Sequence, residues 1–175
     1  MRKLLTLGIS GIIAGPALSG PSLAAEMKVS IEVPKLDVAE YHRPYVAAWI
    51  EKPDGSVAAN LNVWYDVKAE NKKGNKWLKD LRQWWRRAGR ELEMPVDGLS
   101  SATRPVGKHP IELSSSAPPL AELQAGEYEL VVEAAREVGG RELLRIPFKW
   151  PAAAAFSGSA QGKEELGEVA LEIKP

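Results

Sequence analysis

The segment Asp97–Thr103 carries the most accessible chemistry of this chain, because a carboxylate is followed there by three hydroxyls set among small residues. The surrounding stretch, 92–119, contains five prolines and no sustained hydrophobic periodicity. It is therefore predicted to be mostly loop, with a short strand near 111–113. Structureless segments of that length in compact domains tend to be functional, since loops expose side chains that a rigid scaffold positions.

The same segment resembles the attachment motif of proteins that carry FMN covalently on threonine, such as flavin subunits of the sodium-pumping quinone reductase. That motif reads as an acid, two variable residues, Ser or Thr, a small residue, Ala and the acceptor Ser or Thr. Asp97, Ser100, Ala102 and Thr103 meet its constrained positions, and Ser101 stands where Gly is most usual. The resemblance implies that a flavin transferase, using FAD and a divalent metal, joins the FMN phosphate to Thr103.

Charged residues flank the candidate acceptor. By the resemblance, Asp97 helps to hold the metal of the transferase or to orient the loop, while Arg104 and Lys108 neutralise the remaining phosphate charge. A competing interpretation treats Ser, Ala, Thr and Gly as ordinary loop residues and Asp97-Gly98 as a simple turn. The protein would then be a cofactor-free periplasmic binding or interaction module.

A wider resemblance is carried by five segments spread over most of the chain: 43–51, 61–64, 77–84, 101–105 and 126–137. Together they are similar to the bacterial periplasmic domain of unknown function 2271. That resemblance implies iron uptake or redox work outside the cytoplasm, beside PepSY-type membrane proteins and flavin transferases. Members often carry a Trp-Asp-Gly element between the positions of Gly107 and Gly126, which this chain lacks. The expected function is an FMN-carrying electron-transfer or iron-uptake accessory protein rather than a stand-alone enzyme.

Other catalytic chemistries find little support. The chain has no cysteine, which excludes disulfides, thiolate metal sites and thiol nucleophiles. Its two histidines, His42 and His109, are far apart in sequence, so no metal site is predicted. Glu127, Glu129 and Glu133 alternate along one predicted strand, and we expect them to form a solvated face.

The first 24 residues have the pattern of a secretory signal peptide. A basic start at Arg2 and Lys3 precedes an apolar stretch, and Ser22-Leu23-Ala24 provides small residues for cleavage after Ala24. We therefore predict Sec export to the periplasm and a single domain over 25–175. The formal net charge is zero, which argues against nucleic-acid binding. No apolar run beyond the signal peptide is long enough to span a membrane.

Alternating apolar residues predict a mainly β protein, an immunoglobulin-like sandwich. Strands are expected at 27–33 and 169–173, with hairpins over 46–67 and 127–150 and a small-residue linker at 151–161. One amphipathic helix is predicted at about 77–90, with Trp77, Trp84 and Trp85 anchored in the core.

The predicted helix lies in a basic stretch. Between Lys72 and Arg90 the chain has eight Lys or Arg and a single acid, Asp80. These cations could meet acidic headgroups, an acidic redox partner or the FMN phosphate, or they could simply be the solvated outer face of the helix.

Overall fold

The fold consists of two β-sheets packed face to face, with a helical layer covering the outer side of one sheet. The computed structural model describes residues 24–175, so the predicted signal peptide lies outside the described residues except for Ala24. The predicted mainly β sandwich is confirmed. The nine strands within residues 24–175 are β1 (Glu26–Val33), β2 (Tyr45–Glu51), β3 (Val57–Tyr65), β4 (Ser100–Ala102), β5 (Gly107–Ser114), β6 (Gly126–Ala135), β7 (Arg141–Trp150), β8 (Phe156–Gln161) and β9 (Glu168–Lys174).

The strand order determines where the core lies. One sheet has the order β5-β1-β9-β8 and the other β4-β3-β2-β6-β7, with every pair antiparallel except β3 and β4. Successive side chains of a strand point to opposite faces, so alternate residues fill the space between the sheets. In β1 these inward residues are Met27, Val29, Ile31 and Val33, all buried.

A second apolar cluster lies on the outer face of the five-stranded sheet. We call residues 70–91 the helical cap. It comprises a 3-10 segment, Glu70–Asp80, that is kinked at Asn71 and Lys72, then a six-residue α-helix, α1 (Arg82–Arg87), and a short 3-10 helix, Gly89–Glu91. Leu78, Leu81 and Trp84 of the cap pack against outward side chains of the sheet, such as Trp49 and Val131. Because β2 is covered on both faces, nearly all of its residues are buried.

The prediction of a single amphipathic helix at 77–90 is wrong about the type of helix, but it is right about the main residues that pack against the sheet. Leu78, Leu81 and Trp84 are fully buried as expected, whereas Trp77 is 39% exposed and Trp85 only half-buried. The buried residues recur every three positions, which is the repeat of a 3-10 helix.

Glu133 does not lie on a solvated face. Its side chain is completely buried under the helical cap. Its carboxylate accepts hydrogen bonds from the backbone N–H groups of Gln83 and Trp84 at the start of α1, and Arg141 donates a third at 2.7 Å. The cap contributes two of the donors that satisfy this buried charge, which explains why a carboxylate is tolerated there.

Two segments contain more strand than the sequence predicts. In the stretch 92–119, the strand predicted near 111–113 is confirmed and extends over the whole of β5, and β4 is an additional strand. The predicted linker 151–161 contains β8. Pro110 is accommodated because β5 is an edge strand that pairs only with β1. In β8, Ser, Gly and Ala give little strand preference, and pairing with β9 orders the backbone.

Several connections meet at one end of the sandwich, which we call the cleft end. Ala135 pairs with Tyr45, and Ala102 pairs with Tyr65, so the segments beyond these residues leave the five-stranded sheet together. A buried ion pair between Arg136 and Glu165, 2.8 Å long, links this end to a loop of the four-stranded sheet. The connections at the cleft end are 34–44, 66–69, 103–106, 136–140 and 162–167.

Candidate functional site

A cleft of about 370 Å³ opens at the cleft end, between the helical cap and the ends of β2, β3 and β4. Sites for small organic ligands typically begin at about 300 Å³. Polar and charged side chains from four chain segments meet in it. Its walls are formed by His42, Arg43, Tyr45, Asp66, Ala69, Lys73, Gly74, Trp77, Asp80, Thr103 and Glu137.

Thr103 is the member of the predicted attachment segment that lines this cleft. It follows β4 directly, and β4 pairs in parallel with the end of β3, so the register of that pair determines where Thr103 lies. Thr103 is half-buried. The buried Leu99 packs beneath the helical cap and anchors the start of β4.

The other predicted site residues have different surroundings. Asp97 is exposed before β4, and Thr103 follows that strand, so the two lie at opposite ends of it. The Ser100 hydroxyl accepts a 2.9 Å hydrogen bond from the Val96 backbone and holds the turn between them. Ser101 is half-buried in β4, and Ala102 is exposed at its end.

Arg104 points away from the cleft walls. Its guanidinium lies 5.7 Å from the centre of the Trp64 ring, in cation–π contact with a side chain of the inter-sheet core. The Lys108 ammonium is paired with Glu168 at 2.7 Å. Neither of these cations is among the residues that line the cleft, so Arg43 and Lys73 are the ones available to an anion bound there.

Tyr45 forms the floor contact between β2 and the helical cap. Its hydroxyl donates a 3.2 Å hydrogen bond to the Gly74 carbonyl, and its ring packs edge-on against Tyr65. Burial raises the pKa of the Tyr45 phenol above its usual value, and the charges of Asp66 and Glu137 act in the same direction. The phenol is therefore a neutral hydrogen-bond donor at physiological pH.

The close approach of the cap to β3 depends on a glycine. A side chain on Gly74 would place its Cβ 2.0 Å from the Asp66 carbonyl oxygen, so no other residue fits there without movement of the backbone. The glycine thus allows Lys73 and Trp77 to reach the same cleft as Tyr45.

His42 contributes a polar side chain to the cleft wall, and Trp77 contributes an aromatic one. The His42 ring is hydrogen-bonded to Glu40 at 2.8 Å and lies 3.8 Å from Glu137. Trp77 presents a half-open ring with the Lys76 ammonium 4.9 Å from its centre. The cleft therefore combines a partly exposed indole, which could pack against a planar ligand, with cations that could bind a phosphate.

Sequence reasoning did not predict most of these cleft residues. His42, Arg43, Tyr45 and Glu137 are distant from Thr103 in sequence, and the strand register brings them together. The sequence provides one indication of their importance, since Arg43 and Tyr45 lie at the start of 43–51, a segment that resembles the family. Among residues 24–175, no three His, Asp or Glu side chains converge in a way that could hold a metal ion.

Comparisons with known proteins identify one family. A family model described as "predicted periplasmic protein", domain of unknown function 2271, matches residues 26–168. No curated protein and no solved structure shows significant similarity to the chain. None of the helices within residues 24–175 combines the length and hydrophobicity that a transmembrane helix needs.

Proposed function

We propose that this chain, which belongs to the periplasmic family of domain of unknown function 2271, carries FMN covalently on Thr103 and transfers electrons. In this proposal the flavin takes part in the reduction of iron or another acceptor, beside a PepSY-type membrane protein. The periplasmic location is common to the family, whereas the cofactor and the electron-transfer role are the proposal.

The observation that carries the proposal is the position of Thr103 in the cleft. A motif that occurred by chance in a loop could lie anywhere on the surface. Here the candidate acceptor borders a cavity whose other walls include Trp77, Tyr45 and the cations Arg43 and Lys73. These are the side-chain types that a phosphate followed by a large planar ring system would need.

The residues present fit FMN in chemistry. Arg43 and Lys73 would bind the phosphate, which retains a negative charge as a diester. Trp77 would pack against the flavin ring. The neutral Tyr45 phenol lines the same cleft and donates its hydrogen bond to the Gly74 carbonyl. Bound FMN supplies the redox chemistry, and the protein supplies attachment, orientation and a charged surrounding.

Attachment balances as a phosphoryl transfer. The Thr103 oxygen forms a bond to the phosphorus of the FMN half of FAD, while the pyrophosphate bond breaks and AMP leaves. The hydroxyl proton passes to a base of the transferase, whose divalent metal stabilises the charge on the phosphates. Because Thr103 is half-buried, we expect attachment before the chain has fully folded.

Intact-mass spectrometry tests the attachment. When the protein is produced with an active flavin transferase, its mass should increase by one FMN less one water, and the product should stay yellow after denaturation. Thr103→Ala should abolish the increase, whereas Thr103→Ser and the neighbouring control Ser101→Ala should retain it. An unmodified wild-type mass, with the same transferase modifying another substrate, contradicts the proposal and favours a cofactor-free binding module.

Flavin fluorescence then tests the cleft. An indole stacked on a flavin quenches its emission, so Trp77→Ala should brighten the attached flavin. Trp85→Ala, which removes a half-buried indole outside the cleft, is the matched control and should leave the emission unchanged. Equal emission from the wild type and Trp77→Ala would show that the flavin does not occupy this cleft.

A further inference from the structure

We propose that the helical cap is a docking surface for anionic phospholipid, which holds the protein at a negatively charged membrane surface. The inference rests on the charge and exposure of the cap and does not depend on FMN.

The cap has a large excess of basic side chains. Its eight Lys and Arg side chains are all exposed, against three acids, Glu70, Asp80 and Glu91. Among residues 24–175, only Arg90 of these eight cations has an acidic partner within ion-pair distance, Glu91 at 3.6 Å. Lys73 lines the cleft, and the other six lie outside it and are available to an external anion: Lys72, Lys76, Lys79, Arg82, Arg86 and Arg87.

The opposite face of the molecule has the reverse balance. On the outer side of the four-stranded sheet, glutamates at positions 26, 32, 112, 168 and 172 outnumber lysines at 28, 108 and 174. The zero net charge of the chain thus conceals two faces of different sign. Such a molecule turns its basic face toward an anionic surface before contact.

When no flavin occupies the cleft, the cap also presents an aromatic anchor. Trp77 is 39% exposed among lysines, with the Lys76 ammonium against its ring. Indoles favour the boundary between lipid and water because they combine an apolar body with a polar N–H. Lysines that lie along apolar surface keep their ammonium groups at headgroup level.

The extent and composition of the cap favour a membrane over an acidic protein. The cations continue from Lys73, in the cleft wall, to Arg87, whose guanidinium lies beside Gly55 in the turn at the opposite end of the sheet. A broad array matches a continuous layer of phosphates. Clusters of four to eight basic residues are typical of sites for anionic lipid, and the cap has eight.

Vesicle sedimentation tests the proposal with the mature Thr103→Ala protein, so that the result is independent of flavin attachment. The protein should bind vesicles containing phosphatidylglycerol but not those of phosphatidylcholine alone, and binding should weaken as salt is raised. Lys72→Glu with Lys76→Glu should reduce the affinity by roughly thirtyfold or more, given the usual contribution of a lysine at an anionic surface. The matched control, Lys28→Glu with Lys174→Glu on the opposite face, should bind as well as the parent.

Fluorescence distinguishes lipid from other anions. The emission attributable to Trp77, obtained by subtracting the spectrum of Trp77→Phe, should shift to the blue with phosphatidylglycerol vesicles. Failure to bind these vesicles, or equal loss of binding in the cap and control variants, would overturn the proposal. Binding to an acidic polypeptide with no binding to vesicles would assign the cap to a protein partner instead. Circular dichroism of each variant establishes that it is folded.

Discussion

The buried carboxylate of Glu133 accepts a 2.8 Å hydrogen bond from the backbone N–H of Trp84, although the two residues are 49 positions apart. Glu133 lies near the end of β6, and Trp84 belongs to the α-helix above the sheet. The bond fixes the start of that helix to the sheet. Since the cap also forms a wall of the cleft, this contact connects the packing of the fold to the geometry of the candidate site.

We expect Glu133→Gln to destabilise the protein by about 1–3 kcal/mol, because an amide N–H₂ would oppose backbone donors at a buried position. Urea unfolding measures the effect. The matched control is Glu129→Gln on the same strand, whose side chain is 40% exposed and pairs with Arg145. Removal of the Glu129 charge should lower the free energy of unfolding by less than about 1 kcal/mol. Equal losses in the two variants would show that the contact with the helix is not important for stability.

Truncation of two tryptophans of the cap should destabilise the protein by very different amounts. Trp84 is fully buried and donates a 2.9 Å hydrogen bond to Asn60 through its indole nitrogen, so Trp84→Ala should cost about 3–5 kcal/mol. Trp77→Ala should cost less, about 1–2 kcal/mol, because the ring is partly exposed. Thermal unfolding of both variants tests this difference, and a large loss in Trp77→Ala would mean that Trp77 is part of the core.

Glu142 should make stability depend on pH in the acid range. Burial alone raises the pKa of Glu142, but four backbone N–H groups, from residues 163–166, outweigh it and hold the pKa below its usual value of 4.5. The lowered pKa means that the stabilisation is present above the unfolded value and is lost as pH falls through the folded value. The difference in unfolding free energy between the wild type and Glu142→Gln should therefore be largest near neutral pH. It should shrink below about pH 4.5; a difference that stays constant with pH would contradict this assignment.

The ion pair of Arg136 and Glu165 is nearly free of solvent, with side chains 6% and 4% exposed. Arg136→Leu should cost about 3–5 kcal/mol, since it leaves a buried carboxylate with only the Gly140 N–H as a remaining donor. Arg136→Leu combined with Glu165→Leu should recover part of that loss, because no unpaired charge remains. Chemical denaturation of the two single variants and the double variant gives the coupling; purely additive effects would show that the pair does not act as a unit.

Strong periodicity allowed most of the sandwich to be predicted. β1 and β9 alternate because one face of each is buried, and the hairpins β2–β3 and β6–β7 are marked by turns rich in Pro, Asp or Gly. β8 could not be predicted, since its Ser, Gly and Ala residues are ordered by pairing with β9 and not by local preference.

The form of the cap could not be read from helical spacing. Leu78, Leu81 and Trp84 suit an amphipathic helix, but their spacing of three equally suits the 3-10 helix that leads into α1. The choice depends on how closely the chain approaches the sheet, which Gly74 permits. The same approach leaves Trp77 in the wall of the cleft. In a regular α-helix with the predicted core face, Trp77 would instead be buried against the sheet.

By itself, the sequence determined the β class, the signal-like start, the basic stretch and the candidate acceptor Thr103, because these are properties of local pattern and composition. Only the tertiary structure decided that Thr103 lines a cleft with Tyr45, Lys73 and Trp77, and that Asp97 lies beyond the other end of β4. The physical reason is that strand register and the packing of the cap bring distant residues together. Register depends on pairing between whole strands, which no short segment of sequence specifies.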